Sequence, residues 1–516
     1  MSELIVNTRS GAIRGRAVED VRRFLGVPYA AAPVGELRLR PPHEAPAWTG
    51  VRDATKFGPV APQLGEMFSA QSSEGWRYLD GNDEAFPQDE DCLTLNIWTA
   101  VREATEARPV MVWLHGGGLR SGSGRVAAYD GEALARRGVV VVTLNYRLGI
   151  LGFLCHPDLA DGDGPAGNWG LLDQLAALKW VRDNIAAFGG DPQNVTVFGQ
   201  SAGGSSIVNL LALPERRACD KAILQSSAPK AIGLEEGAQL AEKVVEIVGV
   251  RDVADLRQTP VASILDAQRL AEGRGSPMTF LTTIDGRLFS EPPLELIRAG
   301  RGLDVPCLFG TMRDEWRRFL PLDPTALDMD AGALARRLGR AFCGDVSALI
   351  AAYAARRNAR GEVASPGALW FDISTDSYFR LPGRRFETAV AGFRSPAYAY
   401  VLDSPCRMEG GRYGTFHSFE LPLVFGTWSK PVFRDLYGAE DAAQTLSDTI
   451  MGAWVAFARS GDPSTPVVGE WPKFTSSDRK IMVLGPHCQP QADPFAPALE
   501  VLAGLASDAH SRGPLI

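Results

Sequence analysis

The residues best placed to do chemistry are a serine between glycines and a glycine run that follows a histidine. Val195 to Ser206 read VTVFGQSAGGSS, so Gly199, Ser201 and Gly203 match G-x-S-x-G. A serine hydroxyl becomes a usable nucleophile when a sharp strand-to-helix turn projects it out of a sheet. Small residues two positions to either side let strand and helix approach there. The start of the helix adds unpaired N–H groups and a positive dipole end, which stabilise a developing oxyanion. The second run, His115-Gly116-Gly117-Gly118, follows the apolar stretch VMVWL. Without a Cβ in the way, such a loop can turn its N–H groups toward one point. The indicated chemistry is acyl transfer through a serine, which needs a base and an acid to orient that base.

Only six histidines can supply the base: His43, His115, His156, His417, His487 and His510. His115 is taken by the glycine run, His43 sits in RPPHEAP, His156 and His487 adjoin prolines, and His510 is near the chain end. His417 remains, and it lies where the order serine, acid, histidine requires it. The acid should follow a strand between Ser201 and His417. VPCLFGTMRDEWRRF offers Asp314 and Glu315 there, and spacing does not choose between them.

These residues need a rigid frame. PVMVWL (109–114), GVVVVTLNY (138–146), NVTVFG (194–199), KAILQS (221–226), VPCLFG (305–310) and AYAYVL (397–402) are nearly continuous apolar runs. Strands buried on both faces read this way, which predicts an α/β fold with a mostly parallel sheet covered by helices. Between two of the runs, Leu171, Leu175, Leu178, Val181 and Ile185 recur at helical spacing. Asn168 is the expected cap of this helix, and Gly189 and Gly190 its stop. A second helix is expected from Ser201 to before Pro214. Three stretches read as insertions: an irregular loop over 62–84, expected to act as a mobile lid, and helical additions over 234–298 and 320–392. A G-x-G-x-x-A match at Gly122–Ala127 does not directly follow a strand, so no dinucleotide site is expected.

Composition narrows the classes further. The chain has 516 residues, 45% apolar and 22% charged, with a net charge of -8. An acidic chain of this kind is not expected to bind nucleic acid. Its apolar runs are too short to cross a bilayer, and its N-terminus shows no basic stretch leading into an apolar one. Seven scattered cysteines without a C-x-x-C suit a reducing cytoplasm and no disulfide framework. No metal-ligand spacing is apparent, and neither a metal nor an organic cofactor is expected.

In ordered motifs the chain resembles the type-B carboxylesterase and cholinesterase family of α/β-hydrolases, above all its bacterial para-nitrobenzyl-esterase-like members. TRSGAIRG, FLGVPYAAAPVGELRLRPP, EDCLTLNIW, VMVWLHGGG, NYRLGILGFL, GNWGLLDQLAALKWVRDNIAAFGGDPQNVTVFGQSAGG, FHSFELPLVFG and FARSGDPS carry the likeness along nearly the whole length. The resemblance implies one α/β-hydrolase domain over 1–516, with helical insertions over the active-site mouth. It implies Ser201 as nucleophile, His417 as base and, in the family's D-E-G segment, Glu315 rather than Asp314 as acid. Gly117, Gly118 and Ala202 would supply the oxyanion N–H groups, and Ser226 would support the acid.

The departures are specific. Gln200 stands where the family usually has glutamate, Trp316 where it has glycine after the acid, and Leu119 where it has an aromatic. No cysteine precedes Cys92, so the family's exported-type disulfide cannot form. Leu119, Gln200, Trp316 and Phe416 are the candidate walls of the substrate pocket. The expected activity is hydrolysis of a neutral, moderately apolar carboxylic ester by a monomer. The alternatives are an aryl carbamate or amide hydrolase using the same triad, or a non-catalytic adhesion or scaffold member of the family.

Overall fold

The computed structural model describes residues 4–65, 86–101, 107–273, 279–342 and 345–505. Nine strands, numbered along the chain, form the body of its sheet: β1 (Val21–Pro28), β2 (Thr94–Ala100), β3 (Arg108–Leu114), β4 (Val140–Leu144), β5 (Gly190–Gln200), β6 (Lys221–Gln225), β7 (Cys307–Met312), β8 (Ala397–Leu402) and β9 (Lys480–Leu484). Their spatial order is β1-β2-β4-β3-β5-β6-β7-β8-β9. From β4 to β9 every neighbouring pair is parallel, while β1, β2 and β4 pair antiparallel. All six expected strands are present. The continuous apolar runs arise because alternate residues serve two cores. Val110, Val112, Val195 and Val197 face one, and Met111, Trp113, Phe198 and Ile223 face the other.

Parallel register brings the loops that follow β3, β5, β6 and β7 to one rim. Leu114 pairs with Gly199, Gln200 with Gln225, and Gln225 with Gly310. Sites in open α/β sheets form at this carboxyl edge.

Helix α1 (Trp169–Asn184) and helix α2 (Ala202–Leu211) flank β5. Asn168 is not the cap expected of it. Its φ of 63° leaves its side chain making no cap hydrogen bond, and its amide instead pairs with both backbone groups of Thr283 at 2.9 Å. Gly189 ends the segment at φ 80°, as its freedom from a Cβ permits.

The stretch 234–298 contains the helices Leu234–Val248, Val261–Glu272 and Pro293–Arg298. Thr282–Ile284 in this stretch forms a feature that periodicity did not show, a parallel ladder with Ala231–Gly233 just before it. Three residues per strand are too few to produce a period. The stretch 320–392 contains Ala331–Ala341 and Ser347–Ala359, then α3 (Pro366–Thr375), a π-helical turn Asp376–Arg380 and α4 (Leu381–Val390). Apart from residues 62–65, the expected lid lies outside the described residues, as does Cys343. The other six cysteines are unpaired, and among the described residues no helix is long and apolar enough to cross a membrane.

Candidate active site

Ser201 sits between β5 and α2 at φ 55°, ψ -122°, a conformation that non-glycine residues rarely adopt. The two glycines of the motif have a steric reason. A Cβ on Gly203 would come within 2.0 Å of the Leu114 carbonyl oxygen, and one on Gly199 within 2.8 Å of the Gly203 backbone. The turn is held by the Ser201 N–H, which donates to the Gln225 carbonyl at 2.9 Å.

The His115–Gly118 run lies directly against this turn, since a Cβ on Gly116 would meet the Ser201 Cβ at 3.1 Å. Gly117 and Gly118 take φ of 111° and 64°. Among the described residues, the N–H groups of Gly117, Gly118 and Ala202 have no acceptor. These donors sit on the glycine loop and the helix start that flank Ser201. His115 serves the loop rather than proton transfer. It is fully buried, stacks on Tyr146 with ring centroids 4.3 Å apart, and burial pushes its pKa down to about 4.

His417 and Glu315 meet at this rim. His417 Nδ1 is 2.7 Å from Glu315 Oε2, and the other carboxylate oxygen accepts the Met312 N–H at 2.7 Å. Glu315 is 0% exposed and His417 6%. The neighbouring carboxylate is occupied elsewhere. Asp314 accepts the Thr415 N–H at 2.9 Å and pairs with Arg317, bracing the turn that leads into His417.

Gln200, a candidate for the substrate pocket, is 2% exposed and turned toward the base. Its buried amide nitrogen lies 3.0 Å from His417 Nε2 and donates to Ser418 Oγ at 3.0 Å. Ser201 Oγ has no hydrogen-bond partner among the described residues, so the imidazole rests on Gln200 in this state. Phe416 is not a wall. It is 0% exposed and packs with Tyr413 and Phe419 in the core. Trp316 is 3% exposed behind Phe319 and Tyr378, and Leu119, at φ 59°, is 5% exposed. Ser226 is fully buried at φ 50°, beside Gln225, and its hydroxyl has no hydrogen-bond partner among the described residues. Among the described residues no cluster of three His, Cys, Asp or Glu side chains could hold a metal ion.

Several contacting residues carry no motif. Phe379 and Phe319 place their rings 4.5 Å and 6.3 Å from the His417 imidazole. Arg380, buried and lying 3.8 Å over the Phe495 ring, donates to the Met312 and Arg313 carbonyls at 3.0 and 3.1 Å, tying the π-helical turn to the segment that carries Glu315. Glu420, in SFELPLVF, accepts from Gln225 Nε2 at 3.0 Å. A lone carboxyl inside an apolar run was the available signal for it.

Burial first, and then the charge of Glu315, push the Glu420 carboxyl up to about 8 from 4.5. The folded state therefore holds a proton that the unfolded chain releases between those values. The stability this confers is complete below about pH 4.5 and is lost as pH rises through about 8. Glu420→Gln should flatten that loss. Melting temperatures of the parent should fall more steeply than those of the variant between pH 6 and 9, and parallel curves would show that Glu420 is already ionised at pH 6.

The model of the carboxylesterase family matches residues 2–497. The chain belongs to that family. It is 34% identical to the para-nitrobenzyl esterase of Bacillus subtilis over 96% of this chain and 97% of that protein. It is 37% identical to the fumonisin B1 esterase of Sphingopyxis macrogoltabida, covering 94% and 86%. Among solved structures, a Geobacillus stearothermophilus carboxylesterase superposes with a TM-score of 0.82 at 34% identity, covering 96% of this chain and 99% of that one. The fold is that of an α/β-hydrolase, and the protein is a serine hydrolase of carboxylic esters. The aryl carbamate alternative is not favoured over ester hydrolysis.

Proposed function

We propose that Ser201 attacks the ester carbonyl, that His417 takes the serine proton and returns it to the leaving alcohol, and that Glu315 holds the imidazole with its proton on Nδ1. The observation that carries this reading is the 2.7 Å contact between His417 and Glu315 at the rim where the strained Ser201 turn ends β5. The N–H groups of Gly117, Gly118 and Ala202 take the oxyanion. Water then releases the acid by the same steps, through an acyl-enzyme on Ser201. For the first step His417 Nε2 exchanges its contact with the Gln200 amide for one with Ser201 Oγ. Gln200 thus competes for the base in a way that a carboxylate, having no donor, could not.

The substrate proposed for the reacting centre is a neutral, moderately apolar carboxylic ester. The Phe319 and Phe379 rings beside His417 and the uncharged Gln200 support it. The unpaired state of all six described cysteines supports a reducing, cytoplasmic setting. An organophosphate probe should label Ser201 stoichiometrically and stop hydrolysis of 4-nitrophenyl esters in parallel. Label mapped to another residue, or full activity in labelled enzyme, would refute the assignment.

A further inference from the structure

Among the described residues, Lys230 is a cation near this site without a counter-charge. It closes the segment that follows β6, and that segment is fastened to the start of α2. Ser205 Oγ accepts the Ala228 N–H at 3.2 Å and donates to the Ser201 carbonyl at 3.2 Å. The Lys230 ammonium lies 4.1 Å from the centroid of the Tyr378 ring. Tyr378 packs 4.8 Å from Phe379, and Phe379 packs 4.5 Å from His417. Two aromatic rings in succession therefore lead from Lys230 to the base.

Several other cations drawn into this protein have carboxylates. Arg147 pairs with Asp173 at 2.7 Å, Arg38 with Glu90 at 2.6 Å, and Arg380 with Asp376. Lys230 is partly buried and, among the described residues, has no ion pair and no hydrogen bond; burial alone pushes its pKa down, to about 8. Near neutrality it is still mostly an ammonium, with only a ring face to replace lost water. A desolvated cation in that position gains most from an arriving carboxylate, through a charge-assisted hydrogen bond.

We propose that Lys230 is a specificity-determining residue that binds a carboxylate carried by the substrate, two aromatic rings away from the His417 base, so that half-esters of dicarboxylic acids are cleaved in preference to neutral esters of the same shape. The proposal rests on the esterase reading of Ser201 and revises its neutral substrate class in one respect. The apolar flank of the ester lies along Phe319 and Phe379, and the distal end carries the charge.

The test compares mono-4-nitrophenyl adipate with its neutral methyl ester, methyl 4-nitrophenyl adipate, on the full-length enzyme at pH 7. The parent should prefer the half-ester by at least tenfold in kcat/KM, expressed mainly in KM. Lys230→Met and Lys230→Gln should each reduce that ratio at least tenfold, and Lys230→Arg should retain a clear preference. Equal kcat/KM for the two substrates in the parent overturns the proposal, as does an unchanged ratio in a folded Lys230→Met or Lys230→Gln enzyme. Either result leaves the esterase reading standing, because the neutral ester is still cleaved. Failure to cleave both substrates overturns the esterase reading together with the proposal.

Discussion

Ser201→Ala should abolish ester hydrolysis while leaving the fold unchanged, with kcat falling by about a million-fold, as for loss of the nucleophile in other serine hydrolases. The structure explains why the fold should survive. Ser201 Oγ has no hydrogen-bond partner among the described residues, so its removal orphans no other group. Alanine also keeps the Cβ, so the backbone at φ 55°, ψ -122° is no more strained than before. The Ser201 N–H bond to Gln225 and the Ser205 N–H bond to the Ser201 carbonyl, both 2.9 Å, are backbone interactions and persist. Steady-state rates on a 4-nitrophenyl ester, with a melting curve on the same preparation, check both halves. Turnover within tenfold of the parent would move the nucleophile elsewhere.

Glu315→Gln should lower kcat by about ten-thousand-fold, the effect of an acid-to-amide change that leaves triad geometry intact. One carboxylate oxygen of Glu315 accepts the Met312 N–H at 2.7 Å, so the amide oxygen of a glutamine is drawn there. Its NH2 group then faces His417 Nδ1, at the 2.7 Å position now taken by the other oxygen. A donor at that point forces the imidazole proton onto Nε2, and the base loses the lone pair it needs. Asp314→Asn should keep kcat within about tenfold. Its expected cost is in stability, about 1–3 kcal/mol for weakening a charged acceptor of the Thr415 N–H. Kinetics and chemical denaturation of the two variants separate the roles, and the reverse ranking of rates would transfer the acid role to Asp314.

These two adjacent carboxylates show where reading the chain alone stopped. Both follow a strand, both have arginines nearby, and one position of offset decides which faces His417. The resemblance selects Glu315, and the fold supplies the reason: Asp314 is consumed by the turn at Thr415. Gln200 was conspicuous in sequence as a missing charge, but its contact with His417 spans 217 positions and has no local signature. Asn168 looked like a helix cap because its type and place fit one. Its side chain found better partners in the Thr283 backbone, on a ladder too short to announce itself.

What the sequence determined by itself is local or strongly repeated. The Gly-x-Ser-x-Gly turn needs its glycines because strand, helix and Leu114 collide within a few residues. The His115–Gly118 loop and the doubly buried strands are likewise properties of short windows. Tertiary structure decided what meets across those windows. It aimed Glu315 and Gln200 at one imidazole, buried Phe416 in the core instead of on a wall, and used a π-helical turn in the insertion to set Phe379 against His417 and Arg380 against the Met312–Arg313 carbonyls. It also left Lys230 over Tyr378 with no carboxylate partner among the described residues. The physical reason is that such side-chain contacts depend on the register between elements hundreds of residues apart, and neither residue type nor spacing encodes that register locally.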